Sequence, residues 1–153
     1  MIHLVIDMRI KSLFFDRPKV QRAIDRAKRR SLSRAGAFIR QRARTSIRKR
    51  KRQSRPGQPP SSHTGLLRRF ILFGYDRRSD SVVVGPVGFR RPRNSRAPNV
   101  LEFGGRTTVE SRRRGGRRQK RTVRIAARPY MRPALEKERS QLPAVWRNSV
   151  RGG

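Results

Sequence analysis

Arginine is so dense along this chain that few segments can enter a core, and those that can are short and widely separated. Four low-charge islands stand out: His63-Thr64-Gly65-Leu66-Leu67, Val82-Val83-Val84-Gly85-Pro86, Ala97-Pro98-Asn99-Val100-Leu101-Glu102-Phe103-Gly104-Gly105 and Ala127-Arg128-Pro129-Tyr130-Met131-Arg132-Pro133-Ala134-Leu135-Glu136. With 153 residues the chain suits one domain, burying about two-thirds of the surface that its unfolded form exposes. Only 33% of its residues are hydrophobic, so the core is expected to be thin, with part of the burial supplied by neighbouring copies.

Forty-two Lys and Arg stand against nine Asp and Glu, a formal charge of +33. Like charge at this density opposes a compact state, so a polyanionic partner is expected. Seven of the basic residues are Lys and 35 are Arg, and guanidinium favours bidentate contact with phosphate and carboxylate. Nucleic acid or acidic protein surfaces fit that chemistry. The absence of cysteine excludes disulfides, thiolate metal sites and thiol nucleophiles. The apolar stretch at residues 1–10 is interrupted by His3, Asp7 and Arg9 and reads as neither a signal peptide nor a membrane span. The expectation is a protein without a membrane partner, soluble and cytoplasmic when made.

Periodicity predicts an N-terminal strand or arm over residues 1–15 and a long amphipathic helix over 16–52, capped by Asp16 with Pro18 in its first turn. Its apolar stripe runs through Val20, Ala23, Ile24, Ala27, Leu32, Ala35, Phe38, Ile39, Ala43 and Ile47, and Gly36 is expected to be a weak point where it could bend. The helix runs out in Arg48, Lys49, Arg50, Lys51 and Arg52, which are candidates for contact with phosphate or a solvated helix end. A Pro-rich loop over residues 53–63 follows, since its prolines and glycine forbid a regular element.

Thr64 is expected to cap a short helix that leads into a β-hairpin turning near residue 78 and ending at Gly85-Pro86. An Arg-bearing loop over residues 87–96 leads to a short helix at residues 97–103, stopped by Gly104-Gly105. Residues 106–121 form an Arg-rich hairpin loop, where Arg112, Arg113, Arg114, Arg117, Arg118, Lys120 and Arg121 are further candidates for phosphate contact. Glycine and like charge oppose packed structure there, so a mobile finger is expected before a third sheet strand at residues 122–126. A closing helix over residues 131–150, broken or kinked by Pro143, completes the chain, with Trp146 as a core or interface anchor.

Catalytic chemistry finds little support. His3 and His63 have no acidic neighbours at ligand spacing, so no metal or other cofactor is assigned. Ser62, His63 and Asp76 could be drawn as a triad, yet nothing surrounding Ser62 resembles a nucleophile elbow. Gly104-Gly105 and Gly115-Gly116 lack the lysine and the strand-to-helix context of a phosphate loop. Glu102 has no second acid at hand and reads as an ion-pair partner of a nearby arginine, across a subunit boundary or within one.

In their order and spacing the four islands resemble the HK97 gp10-like neck and tail-completion proteins of tailed bacteriophages, over roughly residues 20 to 150. That resemblance implies an α+β fold, a small antiparallel sheet flanked by the long first helix and the closing helix, and the role of a head-tail connector: a homo-oligomeric ring of six or twelve copies around the DNA channel, in a virion neck built with other connector and tail proteins. It implies assembly in the host cytoplasm and no enzymatic activity. Leu101, Glu102, Phe103, Tyr130, Met131 and Trp146 are then the expected subunit-interface residues, and the basic loops would meet double-stranded DNA or acidic faces of adjoining rings. The charge itself is not a family trait. The alternative is a non-enzymatic DNA- or RNA-binding protein of ribosome- or nucleoid-associated type, which composition alone favours; the aromatics, however, fall mostly where periodicity predicts core.

Overall fold

The structure, a computed structural model, describes residues 17–88, 97–112, 118–147 and 149. The expected N-terminal strand, the Asp16 cap and most of the 87–96 loop lie outside these residues. The order of elements is α1 (Arg17–Ser46), α2 (Leu66–Arg69), β1 (Ile71–Asp76), β2 (Ser81–Pro86), α3 (Ala97–Phe103), β3 (Gly105–Arg112), β4 (Arg118–Ile125), α4 (Met131–Arg139) and α5 (Leu142–Trp146). The α+β class holds. The sheet, expected to be single, is two separate antiparallel ribbons, β1-β2 and β3-β4.

Helix α1 is the spine. Its buried stripe is made largely of small residues, Ala27, Ser31, Ala35, Gly36 and Ala43 with Ile39, so neighbours approach its backbone closely. It packs on both strands of the first ribbon and on α4 and α5. Gly36 is where the ribbon comes nearest: a Cβ there would stand 2.6 Å from Val82 Cγ2 and 3.0 Å from Phe73 Cδ2. Gly36 is therefore a site of close approach within an unbroken helix, not the bend that its helix propensity suggested. Side-chain bonds add to this packing. Arg40 Nε donates to the Ile71 carbonyl at 2.9 Å, Arg42 Nε to Glu138 Oε1 at 2.5 Å, and Ser31 Oγ to the Val145 carbonyl at 3.3 Å.

The helix stops at Ser46, short of the expected residue 52. Thr45 and Ser46 donate their hydroxyl protons to the carbonyls of Arg42 and Ala43, a local alternative to the helical ladder. The run that follows would also stack like charges at helical spacing. The chain instead continues as a loop in which Arg48 bridges Ser61 in parallel and its carbonyl accepts the Ser62 N–H at 3.1 Å.

The core consists of Ala43, Ile47, Ile71, Tyr130 and Ala134, with Leu67, Val84, Leu101 and Met131 packed against it. Every one of the four islands thus contributes to it. Burial, and secondarily the Glu102 charge, pushes the Tyr130 phenol well above its ordinary pKa. Short helix α2 begins after Gly65, in the left-handed region at φ 74°, and the Leu66 N–H reaches Thr64 Oγ1 only at 3.4 Å, so the expected Thr64 cap is weak.

The first hairpin turns at residues 77–80, as its sequence predicts. Lys28 of α1 and the Tyr75 hydroxyl both donate to the Asp80 carboxylate, tying the turn to the helix. These bonds hold Asp80 below the usual carboxylate range and raise Lys28 and Tyr75. Asp76 is held low by the Ser79 hydroxyl and then the Arg78 N–H. The closing helix expected over residues 131–150 is two pieces broken at Ser140 and Gln141, with Pro143 in the first turn of α5, where its missing N–H costs nothing.

Candidate nucleic-acid and subunit interfaces

The best-defined device joins the third and fourth islands. Glu102, 8% exposed, receives the N–H groups of Tyr130 and Met131 on Oε2 at 2.9 and 3.0 Å and that of Arg132 on Oε1 at 2.9 Å. A helix start leaves four N–H groups without intrahelical partners. In α4 three of them go to Glu102, and the fourth position is Pro133, which has none. A carboxylate at the positive end of the helix dipole is favourable as well. Glu102 is thus the cap of α4, and among the described residues it forms no ion pair with an arginine, the role that its sequence suggested.

Two further bonds fix the junction. The Arg128 N–H donates to the Leu101 carbonyl at 2.6 Å, and the Gly57 N–H reaches the Ala127 carbonyl at 2.9 Å. Arg128 itself is buried and donates from Nε to the Ser54 carbonyl and from Nη1 to the Ala126 carbonyl, both at 3.1 Å. Gly104 adopts φ 76°, and a Cβ there would meet Ala127 N at 3.0 Å and the Ile125 carbonyl at 3.2 Å. The Ala-Arg-Pro and Phe-Gly-Gly motifs therefore interlock through backbone.

This junction floors an apolar hollow of about 580 Å3 between β2, α3 and α4. Val83 and Phe103 on its rim are 61% and 76% exposed, and Leu135 is also exposed. Of the expected interface residues, Phe103 sits openly on this surface and Met131 lines it while packing on the core. Leu101 packs partly on the core and Tyr130 is buried within it, so neither is free to serve as a primary interface contact. Trp146 is 42% exposed on α5, away from the hollow's lining. Among the described residues twelve large apolar side chains are exposed, against nine buried core hydrophobics of which four are alanine.

The cationic candidates fall into two groups. Arg48, Lys49, Arg50, Lys51 and Arg52 are all exposed, in the loop after α1. The second group lies on the β3-β4 ribbon, which is ordered over residues 105–112 and 118–125 where a mobile loop was expected. Its strand at residues 118–125 pairs with β3 and does not extend the first ribbon. Lys120 and Arg121 are exposed on β4. The backbone register sets Arg112 opposite Arg118, while Arg113, Arg114 and Arg117 lie outside the described residues. Arg106 stands directly opposite Arg124 and both are exposed, an arrangement that disfavours the free ribbon and suits a polyanion that neutralises it.

The paper triad is not assembled. Ser62 Oγ accepts the Gly65 N–H at 2.9 Å, and Asp76 is engaged by Arg78 and Ser79 in the turn. Among the described residues no group of three potential metal ligands comes together, and no helix is long and apolar enough to cross a membrane. Sequence reasoning missed the capping role of Glu102, the stapling role of Arg128 and the close approach at Gly36. Each depends on a backbone or side-chain partner many residues away. Comparison with family models, with curated proteins and with solved structures finds no match.

Proposed function

We propose that this chain is a non-enzymatic structural subunit of a tailed-phage neck, a connector of tail-completion or terminator type that forms a ring of six or twelve copies around the DNA channel. The observation that carries this reading is the apolar hollow rimmed by Val83, Phe103 and Leu135. It is lined by residues of three of the four islands on which the family resemblance rests. Its charged lining residues are already engaged, Glu102 with the α4 backbone and Arg132 Nε with Glu136 at 3.0 Å, so a second copy of a strongly basic chain could settle there without opposing like charges. Burying Phe103 at such a contact stabilises it by about 1.5–3 kcal/mol per subunit.

Within the ring, the β3-β4 ribbon and the 48–52 loop would supply sequence-independent, salt-sensitive contacts to double-stranded DNA or register with acidic faces of neighbouring rings. The virion neck is the resulting location, with assembly in the host cytoplasm. The test is Phe103→Asp: its circular dichroism should match the parent while the ring fails to close in light scattering. An unaltered ring from that variant would remove the hollow as the subunit contact.

A second reading, a free-standing nucleic-acid-binding protein, draws on the Arg106–Arg124 pairing, because a cationic two-stranded ribbon is also a groove-entering element. It predicts a monomer that binds duplex with a steep salt slope and gains no order of assembly from DNA.

A further inference from the structure

Between the end of α1, the Pro-rich loop and α4 lies a second hollow, of about 340 Å3, with a different character. Arg48, Arg50 and Lys137 converge on it, together with Ser54, Gln58 and Ser61. Among the described residues no carboxylate lies within ion-pair distance of these three cations. The two acids that flank Lys137 in the chain are bonded elsewhere, Glu136 to Arg132 and Glu138 to Arg42. Ser54 Oγ is shut off from solvent and has no hydrogen-bond partner in the protein, an unusual state for a buried hydroxyl. The backbone around it is fixed, since the Ser54 carbonyl accepts from buried Arg128 and Ser62 is tied to Arg48.

We infer that this hollow is a binding site for a phosphate oxyanion, with Arg48, Arg50 and Lys137 supplying charge and Ser61 and Gln58 supplying neutral donors. Charge-assisted bonds from guanidinium and ammonium to phosphate are the strongest that such a set can make. The end of α1 points its negative dipole at the site, which opposes an anion by roughly half a charge. Three full positive charges outweigh that, and the hydroxyls of Thr45 and Ser46 already donate to the last carbonyls. Lys137 is what the sequence could not supply: it lies far from the 48–52 run and arrives only because α4 packs along α1.

The phosphate has two possible sources, a DNA phosphodiester or free inorganic phosphate. Choosing the phosphodiester rests on the DNA-contacting reading above. The test uses the full chain and two charge-matched triple variants: Arg48→Ser, Arg50→Ser and Lys137→Ser at the site, and Arg68→Ser, Arg69→Ser and Arg77→Ser as a control on exposed positions. Inorganic phosphate is titrated by calorimetry against chloride at equal ionic strength, and a short duplex by anisotropy over a salt series.

The site variant should weaken phosphate binding by about tenfold or more while the control holds within about twofold. In the duplex arm the site variant should lower the salt slope by about 2–3. Phosphate binding that is lost in the site variant with an unchanged duplex slope would keep the site and assign it to free phosphate. No phosphate binding by the parent, or equal loss in both variants, would overturn it. Ring formation, followed on the same samples, decides the neck reading separately.

Discussion

Glu102 carries more of this fold than any other charged side chain, because three backbone donors at the start of α4 have no other acceptor in its place. Glu102→Ala should therefore lower stability by about 3 kcal/mol, the upper end of the cost of orphaned buried groups, as read from the urea midpoint. Glu102→Gln keeps the shape but turns an amide NH2 toward N–H donors and gives up the charge, with an expected loss of about 1–3 kcal/mol. Gly36→Ala sets two effects against each other. Alanine gains about 1 kcal/mol of helix propensity, yet the new methyl meets stiff Val82 and the Phe73 ring, an overpacking cost of about 1–3 kcal/mol. Crowding should win, and the thermal midpoint should fall.

At the scale of elements, α1, the first hairpin, α3 and the start of α4 were legible in the sequence because each has a clear period or a turn signal. The four islands meet in one core through Leu67, Val84, Leu101 and Tyr130, although Leu101 and Tyr130 read in the sequence as subunit-interface residues. What was not legible depended on partners remote in the chain. Nothing near Glu102 announces that its acceptors will face residues 130–132, and arginines all around it suggested an ion pair instead. The Arg-rich segment reads in the sequence as a hairpin, and β3 and β4 form one over residues 105–112 and 118–125; how far the pairing extends was hidden by a composition that opposes order.

The tether between α1 and the first hairpin has a pH signature. Asp76 and Asp80 have depressed native values, so their contributions are present above the unfolded carboxylate pKa of about 3.9 and are lost as pH falls through the lower native ones. Lys28 and Tyr75 are raised, so theirs are complete below about pH 10 and fade as pH rises through the native values. Amide exchange in the 77–80 turn should accordingly stay slow from about pH 4 to 10, after correction for intrinsic rates, and accelerate on either side. Asp80→Asn should flatten the acid limb; an unchanged acid limb would mean that the carboxylate is not what holds the turn.

For the whole molecule, charge and apolar exposure point to company of two kinds. On the proposed reading a polyanion relieves the net charge of +33, and a second copy covers the exposed apolar rim of Val83, Phe103 and Leu135. If Arg112, Arg113, Arg114, Arg117 and Arg118 face a DNA channel, replacing them with serine should leave ring assembly intact and impair DNA retention in assembled particles. Loss of assembly would instead make that segment a subunit contact. The most direct measurement is the mass and shape of the purified protein in high salt, by light scattering with negative-stain imaging, repeated after adding short duplex DNA. Closed rings of about six or twelve subunits are the expected result, whereas a monomer that remains a monomer at every concentration, with and without DNA, would contradict the account.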